Sequence, residues 1–150
     1  MALSSTITTI AMAALAVALA ALPASAETVS VPAGGGRSLQ AFIDLARPGD
    51  VLRLSAGEHE GPITVSAAIT VEGEPGAQIV GDGTGSVVRV TAPGAVIRGV
   101  TVRGSGTDIT TLDSGIFLDR SAKGALVENN EVIGNLYGVY IYGADDALVQ

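Results

Sequence analysis

From residue 51 onwards, the chain alternates short apolar runs with polar or glycine-containing breaks. Most of these runs are two to four residues long, whereas strands in ordinary hairpin proteins have ~5–6 residues. No helical period of apolar positions is present in this part of the chain. We therefore predict a succession of very short strands, at residues 51–54, 63–65, 69–71, 78–80, 87–90, 96–97, 100–102, 116–118, 126–127, 132–133, 139–141 and 148–149.

Two segments of the later half have the same arrangement of small and apolar positions. Residues 94–104 read GAVIRGVTVRG and residues 124–134 read GALVENNEVIG. A third copy begins at residue 147, and the longer step between the first two copies contains an apparent surface insertion at residues 105–112. Three short strands per repeat of about 22–23 residues predict an all-β fold, a right-handed parallel β-helix in which stacked coils bury a common core.

The repeat assigns side chains to the inside and outside of this predicted solenoid. Ile116 aligns with Val139, and Leu118 aligns with Ile141, so these pairs are expected to form inward columns. Glycine, asparagine and aspartate tolerate positive φ and are expected at the corners. Asn129 and Asn130 lie at such a corner, where an inward asparagine amide can bond the backbone of the next coil.

One helix is predicted, over residues 38–46. Leu39, Phe42, Ile43 and Ala46 fall on one helical face, and Ser38 is a suitable N-cap. A turn follows at residues 48–50 (PGD). We expect this short helix to cap the N-terminal end of the solenoid and to cover a free sheet edge.

The segment 1–26 contains no charged side chain, and its apolar run at positions 10–22 is too short to span a bilayer. Residues 24–26 (ASA) have the small-x-small form of an export cleavage site. Residues 1–26 are therefore predicted to be a secretory signal peptide that is cleaved after Ala26. Residues 27–37 would form a leader. Residues 38–150 would be the N-terminal part of a parallel β-helix domain, truncated at its C-terminal end because residues 147–150 begin a coil without a polar cap.

Charge and composition exclude several functions. The formal charge of −7 argues against a protein that binds the nucleic-acid backbone. The chain has no cysteine, and its only histidine is His59, which we predict to be an exposed turn residue. Both methionines lie within the predicted signal peptide. Copper and zinc sites need several such ligands together, so we predict no complete transition-metal site in residues 27–150.

No catalytic residues can be assigned. Asp145 and Asp146 are adjacent on a predicted loop, where aspartate is common for conformational reasons, and they do not define the acid–base geometry of a glycosidase. Asp108 and Asp113 flank the insertion and are expected to lie on a solvated loop, with calcium or partner binding as the alternative. A G-x-S-x-G nucleophile motif is absent.

Aromatic residues provide the one candidate partner surface. If Val139 and Ile141 point inward, then Tyr140 and Tyr142 point outward. Phe117 is then expected to stack beside Tyr140 from the previous coil. Such an aromatic surface can bind a sugar or a protein partner, or a loop can cover it.

The wording of the chain resembles secreted β-helix proteins of the carbohydrate-binding and sugar-hydrolase (CASH) type at residues 38–44 (SLQAFID), 48–54 (PGDVLRL), 57–63 (GEHEGPI) and 69–77 (ITVEGEPGA). The later stretches 100–108 (VTVRGSGTD), 112–116 (LDSGI), 125–130 (ALVENN) and 135–140 (NLYGVY) are similar to the NosD family. The resemblance covers residues 37–150. Members of that family are periplasmic maturation factors of nitrous oxide reductase, an enzyme of late denitrification.

The resemblance implies a scaffold and not an enzyme. Its implied partners are an ABC-type permease with its ATPase, a copper chaperone lipoprotein and nitrous oxide reductase. Copper would be handled indirectly, with no cofactor bound in this segment, and no family ligand or catalytic residue transfers onto it. The alternative function is that of an extracytoplasmic β-helix polysaccharide lyase, hydrolase or epimerase, or of a carbohydrate-binding module. A cell-surface adhesin would need many more near-identical repeats.

The ligand inventory generates a first prediction. Purified protein containing residues 27–150 should bind less than one copper ion per chain after dialysis, because one histidine and no cysteine or methionine remain in that range. Elemental analysis by mass spectrometry measures the ratio. A tight one-to-one copper complex would contradict the prediction.

Overall fold

Short β-strands are the main secondary structure of this protein in the computed structural model, which describes residues 25–150. Within this range the chain forms fourteen short strands and one helix. All but the last two residues of the predicted signal peptide lie outside the described residues. The elements are β1 (Thr28–Val31), α1 (Leu39–Leu45), β2 (Val51–Leu54), β3 (Gly57–Glu60), β4 (Ile63–Val65), β5 (Thr70–Gly73), β6 (Ala77–Val80), β7 (Val88–Val90), β8 (Val96–Arg98), β9 (Thr101–Arg103), β10 (Ser114–Leu118), β11 (Leu126–Glu128), β12 (Glu131–Val132), β13 (Tyr137–Ile141) and β14 (Leu148–Val149).

The strands build three parallel sheets that run along the molecule. Sheet A has the order β1-β2-β5-β8-β11-β14, sheet B the order β12-β9-β6-β3, and sheet C the order β13-β10-β7-β4. Each inner strand pairs with strands from the coils before and after it, each end strand pairs with one neighbour, and every pairing is parallel. The predicted parallel β-helix is therefore confirmed, with about five turns and one short helix.

Coil length varies more than the repeat predicted. In sheet A, the equivalent positions of successive coils are residues 28, 51, 70, 96, 126 and 148. Only the first and last of these steps match the predicted period, since the second is shorter and the third and fourth are longer. The predicted pairs Ile116–Val139 and Leu118–Ile141 are confirmed in register.

Aliphatic columns fill the interior. Leu52, Val71, Ile97 and Val127 follow one another across four coils of sheet A, and each is at most 2% exposed. Burial of such a side chain contributes ~1.5–3 kcal/mol relative to exposure. In the last coil the inward side chain of Ile141 remains 46% exposed.

The helix performs the predicted capping role. Ser38 is its N-cap, and its hydroxyl accepts a hydrogen bond from the Ala41 N–H at 3.3 Å. Leu39 and Ile43 are buried against the core. The Gln40 side-chain amide bonds both the N–H and the C=O of Thr64, at 2.7 and 3.1 Å. At Thr64, on the free edge of sheet C, Gln40 thereby makes the two hydrogen bonds that a neighbouring strand would make.

An asparagine amide joins two coils at the predicted corner. Asn130 accepts a hydrogen bond from the Val100 N–H at 3.1 Å and donates to the Ile97 C=O at 2.9 Å. It therefore bonds the preceding coil and not the next one. Asn129 has a φ of 53° and makes the turn itself, in the left-handed region that asparagine tolerates.

Two strands were missed by the apolar pattern. β1 lies inside the predicted leader, and its Val31 is buried in the core. β3 occupies the segment predicted as a turn, and His59 is only 4% exposed instead of lying at the surface. His59 is aligned with the inward Ile79 of the next coil, and its Nε2 lies 2.9 Å from the Ser55 carbonyl oxygen. The prediction of an exposed His59 was therefore wrong.

Outward side chains of sheet A form a ladder of alternating charge. Arg53, Glu72, Arg98 and Glu128 occupy the same position on four successive coils. Glu72 Oε1 accepts from Arg53 Nη2 at 2.9 Å, and Glu72 Oε2 accepts from Arg98 Nε at 2.8 Å. Hydrogen bonding from Arg98, with a smaller contribution from Arg53, holds the pKa of Glu72 below its ordinary value despite partial burial.

The helical residues of the described range form no segment that is long and apolar enough to cross a membrane.

Asn130→Ala should lower the free energy of unfolding by about 1–3 kcal/mol, because it removes the side-chain partner of the buried Val100 N–H and one hydrogen bond to the Ile97 carbonyl. Asn129→Gly is the matched control, since glycine adopts positive φ freely, and its effect should stay within about 0.5 kcal/mol. Urea unfolding followed by circular dichroism measures both. Equal losses for the two variants would contradict the assigned role of Asn130.

Glu72→Gln should lower stability by about 1 kcal/mol at pH 7, the upper range for a partly exposed ion pair. Because the pKa of Glu72 is depressed in the folded state, its contribution is present above the ordinary glutamate pKa of ~4.3 and is lost as pH falls through the folded value. Urea unfolding between pH 3 and 7 should therefore show the two proteins converging in acid. Glu74→Gln, at an exposed position, serves as the control.

Candidate docking surface

The outer side of sheet C differs from the rest of the solenoid because it carries aromatic side chains. Thr64, Arg89, Phe117 and Tyr140 occupy equivalent outward positions on four successive coils. The chain has only five aromatic residues. Four of them lie in or directly after β10 and β13, and the fifth, Phe42, lies on α1.

The rings stack between coils as predicted. Phe117 and Tyr140 have centroids 5.6 Å apart and an interplanar angle of 14°. Phe117 and Tyr142 stack at 6.0 Å and 30°. Tyr137 contacts Tyr140 in a tilted arrangement at 5.8 Å. Each such pair contributes ~0.5–1.5 kcal/mol beyond its buried area, so the cluster is held rigidly on the sheet.

Two arginines extend the cluster. The guanidinium carbon of Arg89 lies 4.2 Å from the Phe117 ring centroid, and that of Arg120 lies 5.5 Å from the Tyr142 centroid. Arg89 Nη1 also contacts Asp119 Oδ2 at 3.2 Å. These are cation–π geometries. We call Arg89, Phe117, Arg120, Tyr140 and Tyr142 together the aromatic surface.

Exposure divides the aromatic surface into a base and a contact layer. Phe117 is only 4% exposed, although it is outward on the sheet, because its neighbours cover it. Tyr142 is 46% exposed, Arg120 is exposed and Tyr140 is partly buried. A partner would therefore touch the tyrosines and arginines, while Phe117 fixes their positions from beneath.

A hollow of about 460 Å³ adjoins this surface at Arg89. Ser86, Thr84 and Thr111 contribute hydroxyl groups to its lining. The aromatic surface thus has a polar margin, which is the usual composition of a protein-binding patch.

Several outward charges of sheets A and B are paired within the chain. On sheet A, Arg53 and Arg98 both pair with Glu72. On sheet B, Arg103 donates to Gln78 Oε1 at 3.0 Å and pairs with Glu58. Arg89 is likewise paired, with Asp119, so the stacked rings and the exposed Arg120 are what distinguish the aromatic surface from sheets A and B.

The acidic residues of the insertion organise their own loop. Asp113 is 3% exposed and accepts hydrogen bonds from the Asp108 N–H at 3.0 Å and from the Thr111 hydroxyl at 2.7 Å. The expectation of a solvated position therefore fails for Asp113 and holds for the exposed Asp108. The Thr110 hydroxyl and N–H bond Asp108 and lower the pKa of that carboxyl.

Other candidate positions give no assembled site. Asp145 and Asp146 are exposed at a turn, and Asp146 lies 3.9 Å from Lys123. Within residues 25–150, no three His, Cys, Asp or Glu side chains come together as a metal site would require.

Sequence reasoning did not find two members of the aromatic surface, Arg89 and Arg120, or the Tyr137 that contacts Tyr140. Arg89 was detectable in principle, since it lies one coil before Phe117, but the insertion lengthens the step from Arg89 to Phe117 and obscures the alignment. Arg120 and Tyr137 follow or begin strands, so alternation gives no reliable direction for them.

Comparison with known proteins gives two curated relatives. One, from Stutzerimonas stutzeri, bears the name probable ABC transporter binding protein NosD and is 36% identical over 97 residues, or 65% of this chain and 22% of the relative. Another protein of the same name, from Pseudomonas aeruginosa, is 33% identical over 88 residues, or 59% of this chain and 21% of the relative. The match thus spans about a fifth of each relative's length. No protein-family model matches the chain.

Solved structures of similar fold are pectin methylesterases. A complex with hexasaccharide VII superposes with a TM-score of 0.60 at 15% identity, covering 77% of this chain and 45% of the other. A variant enzyme bound to hexasaccharide IV gives a TM-score of 0.57 at 16% identity, covering 78% and 44%. At this identity the likeness establishes the fold alone.

The parallel strand register gives a β-helix fold, and the curated relatives of the chain bear the name NosD. Within the residues that the structure describes, the chain is a NosD-like parallel β-helix protein.

Proposed function

We propose that this protein is a periplasmic, non-enzymatic scaffold in the maturation of the copper centres of nitrous oxide reductase. It is exported by residues 1–26 and docks through the aromatic surface onto the periplasmic side of an ABC-type permease. Copper reaches the reductase from a copper chaperone lipoprotein, and the scaffold holds the components together without binding the metal itself.

The similarity to proteins named probable ABC transporter binding protein NosD is the observation that carries this proposal. The similarity spans about two thirds of this chain in the first relative. That name supports a transporter as the partner. The further assignment to nitrous oxide reductase rests on the family resemblance of residues 100–140.

The geometry supports docking through side chains rather than catalysis. Tyrosine and arginine are among the residues enriched at the energetic centre of protein interfaces, and here they lie on a rigid sheet. Asp119 pairs with Arg89, and Asp113 accepts hydrogen bonds within the insertion loop.

The second candidate function is polysaccharide binding or processing on the same scaffold. It is favoured by one observation, the partly exposed rings of Tyr140 and Tyr142, since aromatic faces also stack on sugars. Under this alternative, loss of the gene would leave nitrous oxide reductase complete, and the protein would be depleted by an insoluble polysaccharide.

Tyr142→Ala combined with Arg120→Ala should weaken binding to the detergent-solubilised permease–ATPase complex tenfold or more, about 1.4 kcal/mol. Both side chains are exposed, so the fold should be preserved, which circular dichroism checks. Surface plasmon resonance measures the affinity. The reductase from cells carrying only this variant should be exported but poor in copper.

Arg53→Ala is the matched control, because its half-exposed side chain lies on sheet A, away from the aromatic surface. It should bind within about twofold of the unmodified protein. Equal affinity of the double variant and the unmodified protein would refute docking through the aromatic surface. Copper-replete reductase in a gene-deletion strain would refute the maturation role.

A further inference from the structure

The main chain of Glu27 is held at both its N–H and its C=O. Its N–H donates to Asp50 Oδ1 at 2.9 Å, and its C=O accepts from the Val51 N–H at 2.8 Å. The second oxygen of Asp50 accepts from the Arg47 N–H at 2.8 Å. Asp50 is 6% exposed, so a nearly buried carboxylate is aimed at the backbone nitrogen of Glu27.

That nitrogen is also where the sequence predicts that export processing cuts the chain. Ser25 and Ala26 are exposed and lie in no helix or strand, as an accessible scissile bond requires. Residues 24–26 have the small-x-small pattern, and β1 begins at Thr28, two residues after the predicted cut. Cleavage after Ala26 would leave the first strand intact.

We propose that Asp50 is the receptor for the mature N-terminus. Signal peptidase hydrolyses the Ala26–Glu27 peptide bond: water supplies an oxygen to the Ala26 carbonyl, which leaves as a carboxylate, and the Glu27 nitrogen becomes an α-ammonium group. Asp50 then holds this ammonium as a charge-assisted hydrogen bond in place of a neutral amide. This inference rests on the export that is part of the proposed function.

The surroundings of Asp50 accommodate the new charge. A hollow of about 240 Å³ lies beside it, lined among others by Ser25, Glu27, Arg37 and Arg47. The two arginines are the cations near the site and oppose the ammonium, while the Glu27 side chain and Asp50 favour it. Hydrogen bonds from the Arg47 and Glu27 N–H groups already hold the pKa of Asp50 below its ordinary value, so it is ionised when the ammonium forms.

The pairing would strengthen the N-terminal end of the solenoid. β1 is the end strand of sheet A and pairs only with β2 among the described strands. An ion pair at Glu27, the residue before β1, therefore ties the outermost coil to the turn at residues 48–50. An unprocessed chain keeps a neutral amide at the same position and has a weaker tie.

The test uses the exported protein purified from the periplasm. N-terminal sequencing should give Glu27 as the first residue. The α-amine, reductively methylated with labelled formaldehyde and titrated by NMR, should have a pKa raised by about one unit above the ordinary ~7.7–8.0. In Asp50→Asn the pKa should return to the ordinary range. A start at another residue or an ordinary α-amine pKa in the unmodified protein would overturn the proposal.

A second comparison separates the ammonium from the structural role of Asp50. A protein that retains Ala26 has a neutral amide at Glu27 and should melt about 2–4 °C lower at pH 7. Because the α-amine pKa is raised in the folded state, this difference should vanish as pH rises through that value. It should also be absent in the Asp50→Asn background, and a difference that persists there would overturn the proposal. The permease affinity is measured separately, so failure of this ion pair leaves the docking proposal intact, and the reverse also holds.

Discussion

The stacking of coils in parallel register is the constraint on which the remaining structure depends. A single coil of two or three short strands cannot bury its apolar side chains, and only the next coil supplies the missing partner surface. Every inward position must therefore match the inward position one coil away, as Leu52, Val71 and Ile97 do in sheet A. Backbone N–H and C=O groups must likewise find hydrogen-bond partners on a neighbouring coil. Where the chain turns between strands, the Asn130 amide bonds two such groups.

This constraint also determines where function can reside. Because the interior is filled by aliphatic columns, recognition must use the outward positions, which repeat in straight lines along each sheet. On sheet A this line carries alternating arginine and glutamate side chains, which form ion pairs with one another. Sheet C uses its line for Arg89, Phe117 and Tyr140, and the same regular spacing that builds the core therefore assembles a rigid aromatic surface.

The sequence predicted the features that depend on local periodicity. The fold class, the capping helix with Ser38 as its N-cap, and the stack of Phe117 on Tyr140 follow from apolar spacing and strand alternation. The pattern missed β3 because Glu58 and Glu60 flank His59 and leave no apolar run. The burial of Phe117 and Asp113 also escaped prediction. It depends on Arg89 and on the insertion loop, whose positions follow from unequal coil lengths that no fixed period supplies.

The aromatic surface as a docking site is the central claim, and site-specific photo-crosslinking in living denitrifying cells tests it most directly. A photoreactive amino acid would replace Tyr142 in one strain and the sheet A residue Arg53 in another. The account predicts a covalent adduct with a subunit of the permease complex from position 142 and none from position 53. Adducts from position 53 alone, or from neither position, would contradict docking through the aromatic surface.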